Sequence, residues 1–539
     1  MPISGYRVKA VLFDFDGTLT QPGALDFKFI KKALGCPSDQ PVLEFIQSIA
    51  GAHERRKAME KLDRFELDGA VRSRPNAGAQ EIVAWVKAHN LSVGIITRNS
   101  RDSVITSLAN FDMIASDDFD VIISRDDPLD PKPSGDGILW AARQLKIQPN
   151  EMLVVGDFIF DPQAGKAAGA LTALLDPDND TRLQSTACDF RIRNLDELKT
   201  VIRSGLPLPA GKLPNHLLQR FLEKIKSEDP SVLIYPAVGE DVTATVPGKD
   251  QLVVLKSDPI TFATDAIGRY AVAVNANDIA TAGATPRWFL TTLLLPYGIT
   301  PSQVNEIMQE LAQEARRWEV TLCGGHTEIT DAVHRPVVSG MMVGTVKPQD
   351  LIEKKNMRKG DVVLLTKGVA VEGTAIIARE FKERLLAFGI TAEEINRCRR
   401  WIDRISILPE ARLAAGDGAA TAMHDVTEGG LATALLELSV AGGRKIAVEL
   451  EKIPVYDQTQ RMCEVLGLEP LGLIGSGSLL ICCPAERCDA LMRKIENGGI
   501  AVACIGKILG VGEGIEASYR GKPVPWPEFK VDEITRLFR

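Results

Sequence analysis

Long apolar runs are missing from this sequence, and none approaches the ~18 residues that a membrane-spanning helix needs. The short apolar stretch near the start, VKAVLFDFDG, is interrupted by Asp14 and Asp16, which is no pattern for a signal peptide. No C-x-x-C pair occurs; the nine cysteines are scattered, and Cys482 and Cys483 are adjacent. An odd, widely spaced set argues against a disulfide framework and for a reduced, cytoplasmic compartment. Neighbouring cysteines also have poor geometry for an ordinary disulfide. Excess positive charge is missing too: the net charge is −8. That disfavours nucleic acid and membrane surfaces as partners, while leaving room for local phosphate pockets.

What is present is a long chain with an ordinary globular balance, 45% apolar and 25% charged over 539 residues. At roughly 100–200 residues per domain this predicts three or more units. Strand-like runs at 8–15, 91–97, 119–124 and 152–156 alternate with helix-like sequence, notably at 26–68 and 79–89. Such alternation predicts an α/β fold, a parallel sheet covered on both faces, with active sites at the carboxyl ends of strands. The segment Ser204–Pro214, SGLPLPAGKLP, reads as a linker from its Gly and Pro. Beyond it lie a helical stretch at 215–226 and strand-like runs at 252–255 and 289–295. A softer boundary falls near 347–359, and a further α/β unit starts at Asp361.

Four acidic or polar motifs follow strand-like runs. Asp14-Phe15-Asp16-Gly17-Thr18 follows VLF. Carboxylates at i and i+2 point to opposite faces of a strand, but at a strand end both reach one pocket if the backbone turns, which Gly17 permits. One can attack phosphorus while the other handles the proton. Thr97 closes GIIT and precedes Arg98 and Asn99, where a hydroxyl and backbone amides can hold phosphate oxygens. Lys132 stands between two prolines that restrict the backbone around a cation. Gly156-Asp157 closes MLVV, with Asp161 four residues on; oxygen ligands of this kind suit Mg²⁺.

These motifs, in this order, resemble the haloacid dehalogenase superfamily over residues 1 to about 200, especially its phosphoglycolate-phosphatase-like branch. The resemblance implies a Rossmann-like parallel sheet and a small helical cap over about 20–75. It implies a small phosphorylated metabolite as substrate. Asp14 would be the nucleophile and Asp16 the acid/base, with Thr97 and Lys132 on the transferring phosphoryl group. Thr18, Arg98 and Asn99 would bind phosphate further. Mg²⁺ would sit on Asp14, the Asp16 carbonyl and Asp157, with Asp161 in support. His53, Arg55 and Arg56 in the cap either meet an anionic substrate or form a solvated helix face.

The remainder carries a second set: Gly239-Glu240-Asp241, Asp258 in LKSDPIT, Asn277-Asp278 in NANDIATAGATPR, Gly324-Gly325-His326-Thr327-Glu328, and Asp425 in HDVTEGG. Each lies at a Gly-rich turn or beside an apolar run, where cation and phosphate sites form. Together they resemble the PurM-like family of AIR synthases, which includes HypE, selenophosphate synthetase and thiamine-monophosphate kinase. The resemblance implies an N-terminal α+β domain at 214–350 that pairs into a homodimer, and a C-terminal domain at 351–539 that closes over ATP. Residues 1–203 would then form the first domain and 204–213 the linker. Asp241, Asp258, Asn277, Asp278, His326 and Asp425 would bind ATP and its Mg²⁺. Asp265 matches the pattern less well and is equally readable as structural.

HypE acts on a cysteine at its own C-terminus, whereas this chain ends ITRLFR with no cysteine after Cys504, so that self-modification is not expected. No cysteine lies in 212–240, which weakens the selenophosphate synthetase reading. Cys323 and Cys463 sit in apolar runs and read as core thiols. The expectation is a bifunctional chain, a Mg²⁺-dependent phosphatase fused to an ATP-dependent module. The alternatives are a HypE-like interaction factor that docks a maturation partner protein, and a small-molecule kinase.

Overall fold

The computed structural model describes residues 5–181, 183–208, 211–225, 229–234, 244–261, 265–416 and 418–538. It divides into two compact units, Met1–Pro209 with Gly298–Glu306, and Ala210–Tyr297 with Ile307–Arg539. Among the described residues no helix is long and apolar enough to cross a membrane.

The first unit is built on six strands: β1 (Ala10–Phe13), β2 (Ser92–Ile96), β3 (Val121–Ile123), β4 (Met152–Gly156), β5 (Leu171–Leu175) and β6 (Phe190–Ile192). They are all parallel, in the order β3-β2-β1-β4-β5-β6. Residues alternate between the two faces. Val11, Phe13, Leu153 and Val155 enter one apolar cluster, and Ala10, Leu12, Met152 and Val154 the other. A sheet buried on both sides accounts for the near-continuous apolar strand sequences. The four predicted strands are present, the first three shortened at their ends and the fourth with the predicted bounds. β5 escapes the sequence reading because LTALL directly follows the alanine-rich helix sequence GKAAGA.

The segment 26–68, predicted as helical, is three helices: α1 (Phe27–Leu34), α2 (Val42–Ser48) and α3 (Ala52–Arg72). Gly35 ends α1 in the left-handed region at φ 71°, and Pro41 caps α2. The three helices enclose a small core of Ile30, Val42, Leu43, Ile46 and Leu62, a cap of its own. Helices α4 (Ala79–Ala88), α5 (Arg101–Leu108), α6 (Asp136–Leu145) and α7 (Phe160–Ala168) connect the strands, and α8 (Leu198–Ser204) follows β6.

In the second unit, β7 (Gly211–Lys212), β10 (Leu252–Ile260), β11 (Thr285–Pro296), β12 (Thr321–Thr330) and β13 (Val337–Val346) form a sheet in the order β10-β13-β11-β12-β7. Gly211 and Lys212, predicted as linker, pair with Ile329 and Glu328 of β12. Two short strands, β8 (Val232–Ile234) and β9 (Ala244–Thr245), pair with each other, and α9 is Asn215–Ile225. The other sheet has seven strands in the order β15-β17-β14-β18-β16-β19-β20. These are β14 (Val362–Thr366), β15 (Ala422–Asp425), β16 (Arg444–Glu449), β17 (Leu479–Cys483), β18 (Val502–Val511), β19 (Ile515–Tyr519) and β20 (Lys522–Val524). Helix α10 (Ile267–Thr281) is buried almost all round. That is why its sequence shows small and apolar residues on every side instead of one stripe. All nine cysteines are free; Cys482 and Cys483 lie in β17, and Cys323 and Cys463 are buried thiols.

Candidate active site

At the end of β1 the Asp14 amide donates to the Val155 carbonyl of β4 at 2.7 Å, which fixes Asp14 between two central strands. The chain then makes one wide turn, Phe15–Leu19, in which Asp16 and Gly17 leave helical geometry. Gly17 has φ 78°, and a Cβ there would stand 2.2 Å from an Asp157 carboxylate oxygen. Conformation and room therefore both require glycine. A Cβ on Gly156 would likewise fall 2.1 Å from Asp161 Cγ. Asn76 donates to the carbonyls of Gly17 at 3.0 Å and Thr18 at 3.1 Å and so holds the turn.

Lys132 is buried and pairs with Asp14 and, at 2.6 Å, with Asp161. Carboxylate oxygens of Asp14, Asp157 and Asp161 all lie within 4.8 Å of one another. Burial raises the Asp14 carboxyl, against the pull of Lys132. Asp16 is pushed up to about 7, by burial and then by Asp14. Asp157 is pushed up to about 6 by burial and by Asp161, and Asp161 to about 6 by burial against Lys132. Burial works to lower the Lys132 ammonium, but Asp14 and Asp161 more than offset it and hold it above its ordinary value. Three crowded carboxylates facing one ammonium form an electron-rich set of hard oxygen donors. It fits Mg²⁺, and no described thiol or imidazole belongs to it.

Several residues predicted at the phosphate have other partners. Thr18 is fully buried and donates to Asp157 at 3.3 Å, so it orients an acid instead of meeting substrate. The Asn99 side chain donates to Asp16, and its amide donates to Thr97 Oγ1 at 3.2 Å. The Asp16 carboxylate is therefore partly taken by Asn99, and it is not one of the acids whose oxygens cluster within 4.8 Å. Asp161 uses one oxygen on Lys132 and accepts from the Phe158 amide with the other at 3.0 Å. The Arg98 guanidinium is taken by Glu44 of the cap at 2.6 and 2.7 Å and by the Lys132 carbonyl at 2.6 Å. His53, Arg55 and Arg56 lie on the exposed side of α3. The sequence reading missed Glu44, Glu66 and Asn76. Buried Glu66 pairs with Arg125 and accepts from the Ser100 amide at 3.0 Å.

In the second unit Asp258 lies on β10, Asp278 on α10 and Asp425 at the end of β15. Lys256 stands 3.0 Å from Asp258 and 3.3 Å from Asp278, the latter off the line of a hydrogen bond. One buried oxygen each of Asp278 and Asp425 has no hydrogen-bond partner. Burial, then the charge of Asp425, pushes Asp278 up to about 8, and burial raises Asp425. A cation would satisfy these two orphaned oxygens, although among the described residues Asp258, Asp278 and Asp425 do not bring ligand atoms within 4.8 Å of one another as the acids of the first unit do. Glu372, absent from the sequence reading, is also buried and pushed up to about 7 by that burial. It accepts from the Ser476 amide at 3.1 Å, and Asp425 is among the charges acting on it.

Asn277 is committed elsewhere. Its amide donates to the Ile405 carbonyl at 2.8 Å and accepts from the Ile407 amide at 2.9 Å, clamping a loop. His326 lies exposed within β12, not in a turn, and its charged neighbour is Glu328 at 3.6 Å. No described contact joins it to the three aspartates. Asp265 pairs with Arg379 at 2.8 Å and Arg399 at 3.7 Å. Asp241 lies outside the described residues.

Residues 11–175 match the family described as haloacid dehalogenase-like hydrolase. Residues 239–346 and 358–517 match the N-terminal and C-terminal domains of AIR synthase related protein. A Methanocaldococcus jannaschii protein named for hydrogenase expression and formation is 30% identical over 263 residues, 47% of this chain and 75% of that protein. An uncharacterized hydrolase of Saccharomyces cerevisiae is 32% identical over 171 residues, 31% of this chain and 78% of its own length. The crystal structure of Escherichia coli HypE superposes with a TM-score of 0.51 at 18% identity, over 60% of this chain and 100% of that one, a likeness of fold.

The raised acids fix a pH dependence. Asp16, Asp157 and Asp161 reach about 7, 6 and 6 in the folded state, against roughly 3.9 unfolded. The folded state therefore binds extra protons between these values, and stability falls as pH rises through that window. A divalent cation bound by these acids would replace those protons. Calorimetry of the full chain is expected to show Mg²⁺ raising the melting temperature by several degrees, roughly 2–4 °C, at pH 8 and little at pH 5. Equal shifts at both pH values would place the cation elsewhere.

Proposed function

Because the chain belongs to the haloacid dehalogenase-like hydrolases through its first unit and to the AIR synthase-related proteins through the remainder, we propose that it joins a Mg²⁺-dependent phosphomonoester hydrolase to an ATP-binding, HypE-like module. The observation that carries the hydrolase reading is buried Lys132 bridging Asp14 and Asp161 beside Asp157. Asp14 attacks phosphorus, the ester P–O bond breaks, and the leaving oxygen takes the proton of Asp16. With a carboxyl near 7, Asp16 is partly protonated at neutral pH, as a general acid needs. Thr97 and Lys132 hold the phosphoryl oxygens. Water, losing its proton to Asp16, then cleaves the aspartyl phosphate. Mg²⁺ held by Asp14, Asp157 and the Asp16 carbonyl would neutralise charge on the phosphoryl group.

In the second unit, Asp258, Asp278 and Asp425 would hold Mg²⁺ and the nucleotide phosphates, and phosphoryl transfer to an oxygen would make it a leaving group. A second reading takes ATP as a ligand for assembly with a maturation partner, and the name of the M. jannaschii relative supports it. ATP turnover by the chain alone separates the two. Of the domain limits 1–203 (cap 20–75), 214–350 and 351–539, the last boundary is supported by the break between β13, ending at Val346, and β14, starting at Val362. A homodimer through β10 and β13 is supported by an apolar face left in water: Val253, Leu255 and Met341 are 47%, 58% and 42% exposed.

Asp14→Asn is expected to abolish Mg²⁺-dependent phosphate release, a loss of at least about 10³-fold, with circular dichroism unchanged; undiminished release would remove Asp14 from the chemistry. Asp278→Asn should abolish Mg-ATP binding by calorimetry while leaving or raising the melting temperature, since a repelled charge is removed. Retained binding would sink the nucleotide site. Leu255→Glu should shift light-scattering mass from dimer to monomer, and a wild-type monomer would refute the dimer.

A further inference from the structure

Resting on the reading of the first unit as a phosphatase, we propose that its substrate is a small alcohol monophosphate whose leaving group carries no second negative charge. A cavity of about 200 Å³ lies between cap and core, with Leu43 and Met59 on one side and Ile123 and Leu129 on the other, and it reaches Thr97 and Lys132. It is smaller than the roughly 300–1,000 Å³ pockets of drug-sized ligands. Beyond the phosphoryl site its polar lining includes Gln47, Ser124, Arg125 and Asp130.

Gln47 and Asp130 are exposed where the cavity opens to solvent, so an anionic leaving group there is governed by the sign of the charges it meets and by whether any cation is free to answer it. Every nearby cation is already spent. Lys132 is held by Asp14 and Asp161. Arg98 is held by both oxygens of Glu44, by the Lys132 carbonyl and by the Phe160 ring 4.9 Å away. Arg125 pairs with both oxygens of Glu66 and with Asp63, and donates to the Arg98 carbonyl at 3.2 Å. The one described charge lining the cavity without a partner is the Asp130 carboxylate. It repels a carboxylate and accepts from a hydroxyl or ammonium, and the Gln47 amide serves an uncharged polar group equally.

The test is steady-state phosphate release by the full-length chain with Mg²⁺ on matched pairs: glycerol 3-phosphate against 3-phosphoglycerate, and phosphoethanolamine against phosphoglycolate. The uncharged or amine member of each pair is expected to have kcat/KM at least about tenfold higher. Equal values, or preference for the carboxylates, would overturn the proposal. In Glu44→Gln the freed Arg98 should raise kcat/KM for the carboxylates about tenfold relative to their partners. An unmoved ratio would show that the ion pairs do not set the preference and would also overturn it. If the wild-type chain hydrolyses none of the four and no p-nitrophenyl phosphate either, the phosphatase reading itself fails and takes this inference with it.

Discussion

A single ammonium group, that of Lys132, makes the N-terminal acids compatible with one another. Three carboxylates crowd the carboxyl ends of β1 and β4, out of contact with most water. Left alone they would take up protons and lose the charge that a nucleophile or a cation site would need. Lys132 binds two of them directly, and removing one member of such a buried pair costs about 3–5 kcal/mol. The rest of the unit keeps this arrangement in register. Parallel pairing sets Asp14 against Val155, Asn76 holds the turn, and Thr18 and the Phe158 amide orient Asp157 and Asp161.

Part of the candidate site was legible in the sequence because Asp14, Thr97 and Asp157 each follow the end of an apolar strand, and a parallel sheet gathers the ends of its strands. Lys132, in the loop between β3 and α6, stood out by its flanking prolines, and Asp161, on α7, by its spacing from Asp157. Partner choice could not. Thr18, Arg98 and Asn99 are adjacent to the frame, but sequence adjacency does not tell which acceptor captures a donor, and Asp157, Glu44 and Asp16 captured them. Glu66 lies in the charged helix α3, whose sequence looks like a solvated surface, and Glu44 is a lone acid in the apolar helix α2, so nothing marked either as gripping the core.

The second unit repeats the lesson on a helix. Asn277 and Asp278 are neighbours in NDIATAG, yet successive residues of an α-helix point about 100° apart. One therefore clamps the 405–407 loop, and the other meets Lys256 beside Asp258 and feels the charge of Asp425. The aspartates were readable from their settings; Glu372 was not, since its burial depends on the packing of the loop at Ser476. His326 failed for the opposite reason. A glycine pair suggested a turn where β12 instead continues through a break in register with β11 between Leu322 and Gly324.

Gly17 and Gly156 contribute no side chain, and that is their contribution. The volume that two methyl groups would fill is occupied by the carboxylates of Asp157 and Asp161. The spacing of the acids is thus written partly in omissions, at positions an alanine scan of the charged residues would pass over. Redesign of this centre for another ion has to begin with those two vacancies, because a larger or smaller cation asks for a different distance between walls that nothing but hydrogen now separates.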